Sequence, residues 1–271
     1  MTDVNDKKKR LVKVILLALL IMVIIIIVII AWLMRPFDMK KSKQRDHIEL
    51  IAHACGAVDG YTYTNSKEAF LNAIAKGYQY IELDLYMTAD SQLVCLHDLD
   101  RFALMTGIQT NQIDSHTFLK SNFFGKYTPM TLREAVHYWD RNHFVLVTDK
   151  YSNPIELNKY FLKNRQNVYV EVRRFWNYHD VEDNGYHAML TTPRGIVGMI
   201  KYFCCYIYGK RKVQHIVVYK KIEERFLRLY RRLGSKISVY TENDSEEAIK
   251  LRDLGCDMIY TDSLVLKDLL E

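Results

Sequence analysis

Tyr80 to Asp98 reads YIELDLYMTADSQLVCLHD. Its first run, Tyr80–Tyr86, has the short β-rich composition of a strand, with two acids set into an otherwise apolar stretch. A second β-rich run, Leu93–His97, follows at once, with only Ala89–Gln92 between it and a strand ending near Thr88. A parallel crossover needs a dozen or more residues, so this link must be a hairpin. If Thr88 pairs with Leu93, then Tyr86 faces Cys95 and Asp84 faces His97, and opposed residues share one face of the ladder. Glu82, two residues from Asp84, lies on that face as well. The sequence therefore predicts that Glu82, Asp84 and His97 converge.

Outward from this hairpin, strand patterns alternate with helical ones, which is the signature of βα units and a parallel sheet. The strand candidates are Glu49–Cys55, Tyr80–Tyr86, Phe144–Asp149, Val168–Val172, Ala188–Thr191, His215–Tyr219, Lys236–Thr241 and Met258–Thr261. Helical patterns cover Ser66–Lys76, Leu132–Trp139, Pro154–Asn164, Ile222–Leu233 and Ser245–Leu254. Eight strands in a segment of about 225 residues predict an α/β fold, a TIM-type (β/α)8 barrel over 49–271 with a hairpin after its second strand.

Two carboxylates at i and i+2 on one strand face repel unless a cation sits between them. Hard divalent ions such as Ca²⁺ or Mg²⁺ take such oxygen ligands, so Glu82 and Asp84 are candidate metal ligands; the alternative is a pair of incidental acids at a solvated strand edge. His53 closes the first strand in IAHACG, at the end where barrel active sites form. His97 closes the hairpin in CLHD. Two histidines beside a metal can act as acid and base, because their ordinary pKa suits proton transfer near neutrality. Each alone reads better as a packed or metal-ligating histidine; together with the acid pair they read as catalytic. Cys55 reads as a buried, inert thiol. Asn65 with Glu68 fits a helix cap, and His116, His137 and His143 carry no acid partner pattern.

The net charge of +6 belongs to the N-terminus: residues 1–45 hold ten Lys/Arg and three acids, whereas the remainder carries −1. The barrel segment thus gives no electrostatic reason to expect nucleic-acid binding. Between a basic tail (1–13) and a basic linker (35–48), residues 14–34 read VILLALLIMVIIIIVIIAWLM without a charge. Twenty-one residues at helical rise reach about 31 Å, which predicts a single uncleaved transmembrane anchor. Basic residues flank it on both sides, so the positive-inside rule ties. The short basic tail favours an extracytoplasmic barrel, while five cysteines without framework spacing lean towards a reducing compartment.

The ordered set His53-x-x-Gly56, Asn65–Phe70, Gly77, Ile81–Asp84, His97-Asp98, Pro129–Glu134, Tyr240-Thr241 and Gly255–Asp262 resembles the glycerophosphodiester phosphodiesterase family. The likeness runs from about Ile51 to Asp262. It implies a TIM barrel, a divalent metal (Ca²⁺ or Mg²⁺) on Glu82 and Asp84, and His53 and His97 as the acid/base pair. It also implies hydrolysis of glycerophosphodiesters to sn-glycerol 3-phosphate and an alcohol, by way of a cyclic phosphate. The substrates expected near a membrane are glycerophosphodiesters, lysolipid-like headgroups or glycerol-phosphate polymers.

Two departures bear on the phosphate grip. The family's first histidine is usually followed by Arg, which clamps phosphate; here it is Ala54, in a subgroup pattern H-A-x-G. The family's E-x-K strand appears as Val147-Thr148-Asp149-Lys150. Aligning Lys150 puts Thr148 in the acid's place. Aligning Asp149 leaves Lys150 on the opposite face unless a bulge re-aims it. The reading adopted is Asp149 as third ligand and Lys150 as phosphate contact. The missing Arg keeps open a catalytically impaired, membrane-tethered scaffold. A metal-independent phosphoinositide lyase is the other alternative, although it would have no use for Glu82 and Asp84. Finally, Gly195–Gly209 (GIVGMIKYFCCYIYG) and the basic run beyond it read either as outer barrel helices or as a membrane-apposed surface.

Overall fold

The computed structural model describes residues 48–269, with residues 10, 12–17, 19–21, 23, 24 and 28. The chain divides into two units, Met1–Ser42 and Lys43–Glu271. In the first, every described residue is helical and exposed. Among the described residues no helix is long and apolar enough to cross a membrane. The expected anchor over 14–34 therefore finds no support there, and much of it, with most of the tail 1–13 and linker 35–48, lies outside the described residues.

In the second unit the alternating patterns become nine strands: β1 Glu49–Ala52, β2 Tyr80–Met87, β3 Leu93–Cys95, β4 Val145–Asp149, β5 Val168–Val172, β6 His187–Thr191, β7 His215–Tyr219, β8 Lys236–Tyr240 and β9 Met258–Thr261. All but β3 are parallel, and β1 pairs with both β2 and β9, so the sheet closes into an eight-stranded barrel. β3 pairs antiparallel with the upper end of β2 as the hairpin. The helices are α1 Lys67–Ala75, α2 Leu99–Thr106, α3 Ser115–Lys120, α4 Leu132–Trp139, α5 Pro154–Leu157, α6 Tyr178–Asp183, α7 Gly195–Gly209, α8 Glu224–Arg232 and α9 Ser245–Asp253.

Side chains alternate across each strand, and this splits the core in two. Ile51, Val147, Met189, Val217, Met258 and Tyr260 fill the lumen. Residues one step out of phase, such as Ile81, Leu83, Leu146, Val170, Ile216 and Ile237, pack outward into the larger core. Polar residues on the lumen phase near the strands' C-terminal ends are therefore committed to the mouth.

Four local expectations need correction. The hairpin pairs Leu85 with Cys95 and Met87 with Leu93, one residue away from the predicted register, because five residues rather than four make the turn. Ser91 takes a left-handed conformation there, and the Thr88 hydroxyl bridges Gln92. β1 stops at Ala52, since Ala54 and Cys55 have positive φ and His53–Cys55 forms a single tight turn. The helix expected over Pro154–Asn164 ends at Leu157. The cap of α1 is Ser66, whose hydroxyl accepts from the Ala69 amide, and Asn65 is free for another task.

Candidate active site

All six predicted site residues line one cavity of about 330 Å³ at the barrel mouth: His53, Glu82, Asp84, His97, Asp149 and Lys150. The register explains the acids. Asp84 is the parallel partner of Asp149, and Glu82 that of Val147, so Asp149 shares the lumen phase and Thr148 does not. Thr148 is fully buried on the outer side. Of the two alignments of Thr148-Asp149-Lys150, the register therefore puts the Asp149 carboxylate, and not Thr148, at the mouth. Lys150 then leaves the strand with φ +68, a left-handed step that turns it into the mouth, where its Nζ lies 3.7 Å from Asp149.

Asp84 is fixed at two points. Asn65 Nδ2 donates to its Oδ2 at 2.9 Å, and its backbone amide donates to Asn65 Oδ1 at 3.0 Å. Glu82 Oε2 accepts from the Ala54 amide at 2.6 Å, so position 54 serves the site through its backbone. Glu82 Oε1 is buried with no partner among the described residues.

Each histidine is held by an aspartate. His53 Nδ1 lies 2.9 Å from Asp262 Oδ1, and His97 Nδ1 lies 2.5 Å from Asp98 Oδ2. The H-D motif has a local cause: Asp98 is the N-cap of α2, with Oδ1 accepting from the Arg101 amide, which leaves Oδ2 for the imidazole. Engaging Nδ1 in this way fixes the ring and leaves Nε2 for proton transfer. The Tyr63 ring stands between the two, 4.5 Å from His53 and 5.5 Å from His97 between centroids. His116, His137 and His143 are exposed and remote from this arrangement. Burial pushes the Cys55 thiol well up, which removes it as a nucleophile.

Three further charged residues line the mouth that the sequence reading did not single out. Glu171, on the lumen phase of β5, accepts from the Tyr260 hydroxyl at 2.5 Å and from Thr191 at 2.9 Å. Its signal was the same as that of Glu82, an acid inside an apolar strand. Arg173, just past β5, donates to both oxygens of Asp149, at 2.7 and 3.4 Å. Lys201 reaches in from α7 and donates to the Thr191 carbonyl at 2.5 Å. It is the lone charge of an apolar helix.

Four buried acids, Glu82, Asp84, Asp149 and Glu171, thus share the cavity. Burial and then the neighbouring Asp84 push Glu82 well above the ordinary carboxylate range. Burial and then Asp149 raise Asp84, and the same two causes bring Glu171 to about 8. Among the described residues, no three such side chains stand close enough as placed to hold a metal ion. The donor chemistry nevertheless fits one: hard oxygens, mutual repulsion, and an unpartnered buried oxygen on Glu82. Asp149 is the least available of the four, because its carboxylate is committed to Arg173.

Residues 56–192 match the model of the glycerophosphoryl diester phosphodiesterase family. The chain belongs to that family. As a member it is an enzyme, a glycerophosphodiester phosphodiesterase. Solved structures agree in fold. A phosphodiesterase from Oleispira antarctica, in complex with the product sn-glycerol-3-phosphate, superposes with a TM-score of 0.67 at 14% identity, covering 82% of this chain and 94% of its own. A glycerophosphodiester phosphodiesterase from Thermotoga maritima gives 0.61 at 20% identity, covering 80% and 95%. One from Parabacteroides distasonis gives 0.61 at 20%, covering 83% and 86%. No curated protein matches the chain by sequence.

Proposed function

We propose that this member is a divalent-metal-dependent hydrolase that releases sn-glycerol 3-phosphate and an alcohol from glycerophosphodiesters presented near a membrane. The observation that carries this reading is the meeting, at one mouth, of two aspartate-held histidines with the clasped pair Glu82 and Asp84. Glu82 and Asp84 would hold Ca²⁺ or Mg²⁺, with either Asp149 or Glu171 as third carboxylate. Glu171 is the better placed of these two, since its oxygens accept only neutral hydroxyls. A bound ion would neutralise the phosphate and favour charge build-up on its oxygens. One of His53 and His97 takes the proton of the attacking hydroxyl through Nε2, and the other protonates the leaving alcohol. Asp262 and Asp98 keep both rings oriented and stabilise whichever one is charged. Lys150, Lys201 and Arg173 supply the positive charge that Ala54 cannot, which weighs against the impaired-scaffold reading. The apolar run 14–34 is the sequence basis for the membrane setting.

The test is an assay of the full chain on glycerophosphodiesters, with and without chelator, beside His97→Ala and Asp84→Asn. Loss of activity in all three treatments supports the reading. Absence of activity on any phosphodiester, together with absence of bound divalent ion, would sink it. Chelator-resistant release of a cyclic phosphate as the final product would favour the lyase.

A further inference from the structure

Two stretches were open to reading as a membrane-apposed surface, and the structure separates them. The arginines of α8 are largely matched: Arg225 pairs with Glu223, Arg228 with Glu224 and Arg231 with Asp257. That helix presents a solvated, locally neutralised face.

Helix α7 is different. Gly198, Met199, Tyr202 and Cys205 are its buried side. Its seating is fixed by two glycines. A Cβ on Gly198 would lie 2.1 Å from the Pro193 carbonyl oxygen, and one on Gly209 would lie 1.8 Å from the His179 ring. The helix therefore cannot roll to hide its other face. On that face Ile196, Ile200, Phe203 and Ile207 fall at i, i+4, i+7 and i+11, with exposures of 65, 56, 38 and 69%. Val197, Tyr206 and Tyr208 widen the stripe, and Trp176, on the neighbouring turn whose Phe175 meets Tyr208, is 44% exposed. Single exposed apolar side chains need no explanation, but a contiguous set on one fixed helix marks a contact surface.

The charges say what is contacted. No acid occurs between Arg194 and Lys212, and among the described residues Arg194, Lys210 and Lys212 form no ion pair. An apolar stripe with aromatic residues and basic ends matches the interface of an anionic bilayer. Two copies packed antiparallel through this face would instead set Lys210 and Lys212 of one beside Arg194 of the other, a like-charge contact. Lys201, on the same helix, lines the catalytic mouth.

We propose that the outer face of α7, with Trp176, rests on an anionic lipid bilayer and holds the mouth against the headgroup layer. The preference for lipid-presented substrate rests on the function proposed above, whereas the docking itself does not.

The full chain carries the apolar run 14–34, so vesicle association as such is not the readout. A bimane label on Ile200→Cys, in a Cys204→Ser background, reports the α7 face directly, because the other cysteines are buried. Bilayer-embedded quenchers should quench it at least about threefold more in phosphatidylglycerol vesicles than in phosphatidylcholine vesicles. Separately, Ile200→Ser with Phe203→Ser should lower cleavage of lysophospholipid in anionic vesicles by about fivefold and leave a short water-soluble glycerophosphodiester unaffected. The unchanged soluble activity shows that the variant is folded. Absence of quenching in either vesicle would overturn the docking, as would label-dependent cross-linking between two copies. If no substrate is cleaved, the function fails while the quenching still decides the docking.

Discussion

The two sides of the barrel mouth are built from different kinds of sequence. On one side, Glu82, Asp84, His97 and Asp98 come from a single hairpin, and His53, Asp262 and the Asn65 clasp are imported. On the other, Asp149, Lys150, Glu171, Arg173 and Lys201 come from the ends of β4 and β5 and from α7. Each side carries two buried carboxylates, but the first adds the two aspartate-held histidines and the second the cationic side chains of Lys150, Arg173 and Lys201. The contrast suggests a division of labour. On the proposed reading, the hairpin side supplies two of the metal's carboxylates and the proton-transfer groups, and the far side adds the third carboxylate and the positive charge that grips the phosphate in place of an arginine at Ala54.

The largest test of that division is His97→Ala. Removing a general acid or base should lower kcat by about 10²–10⁴-fold with little change in KM. A variant whose KM alone rises would move His97 into the gripping set. Next comes Asn65→Ala. Without its clasp Asp84 loses both its orientation and a hydrogen bond that favours its charged form, and metal affinity should fall by about 10–100-fold in a calcium titration. An unchanged affinity would mean that Asp84 is not a ligand.

Smaller effects belong to the far side. Lys201→Ala should raise KM by about tenfold and leave kcat nearly unchanged, since its charge meets ground and transition states alike. A fall in kcat with constant KM would break the comparison, because Lys201 would then act in the chemistry. Glu171→Gln should weaken metal binding more than Asp149→Asn, because Asp149 is already committed to Arg173; the reverse order in calorimetry would restore Asp149 as the ligand.

A further expected effect is on stability. Glu171 is raised from an ordinary 4.5 to about 8, and Glu82 and Asp84 are raised as well. A raised carboxyl means the folded state holds its proton longer than the unfolded chain does. In chelator, stability should therefore be greatest below the unfolded pKa and be lost as pH climbs from about 4.5 towards 8. Divalent ion should reverse this loss, raising Tm by more at pH 8 than at pH 5 in scanning calorimetry. A chelated protein that gains stability over that interval would contradict the crowding of acids.

The same contrast explains what the sequence made legible. The eight barrel strands were readable because each is short, apolar and set between helical patterns. The hairpin side was readable because most of its groups lie within nineteen residues, although His97 reaches the mouth from beyond the end of β3 and not by facing Asp84 across the ladder. Even there the register was off by one, because the left-handed Ser91 and the bonds between Thr88 and Gln92 build a longer turn than spacing implied. The far side was not readable as a set. Glu171 carried the right local signal, but its partners Tyr260 and Thr191 lie 89 and 20 residues away. The inward turn of Lys150 depends on one φ angle that the sequence does not announce. Asn65 looked like a cap because the sequence cannot tell which of two adjacent polar residues, Asn65 or Ser66, bonds the helix amide.

Titration of Ca²⁺ or Mg²⁺ into the full chain tests the division of labour most directly. One ion per chain should bind the native protein; the binding should be lost in Glu82→Gln and kept in Lys201→Ala. Binding that survives Glu82→Gln, or no binding to the native protein at all, would contradict the account.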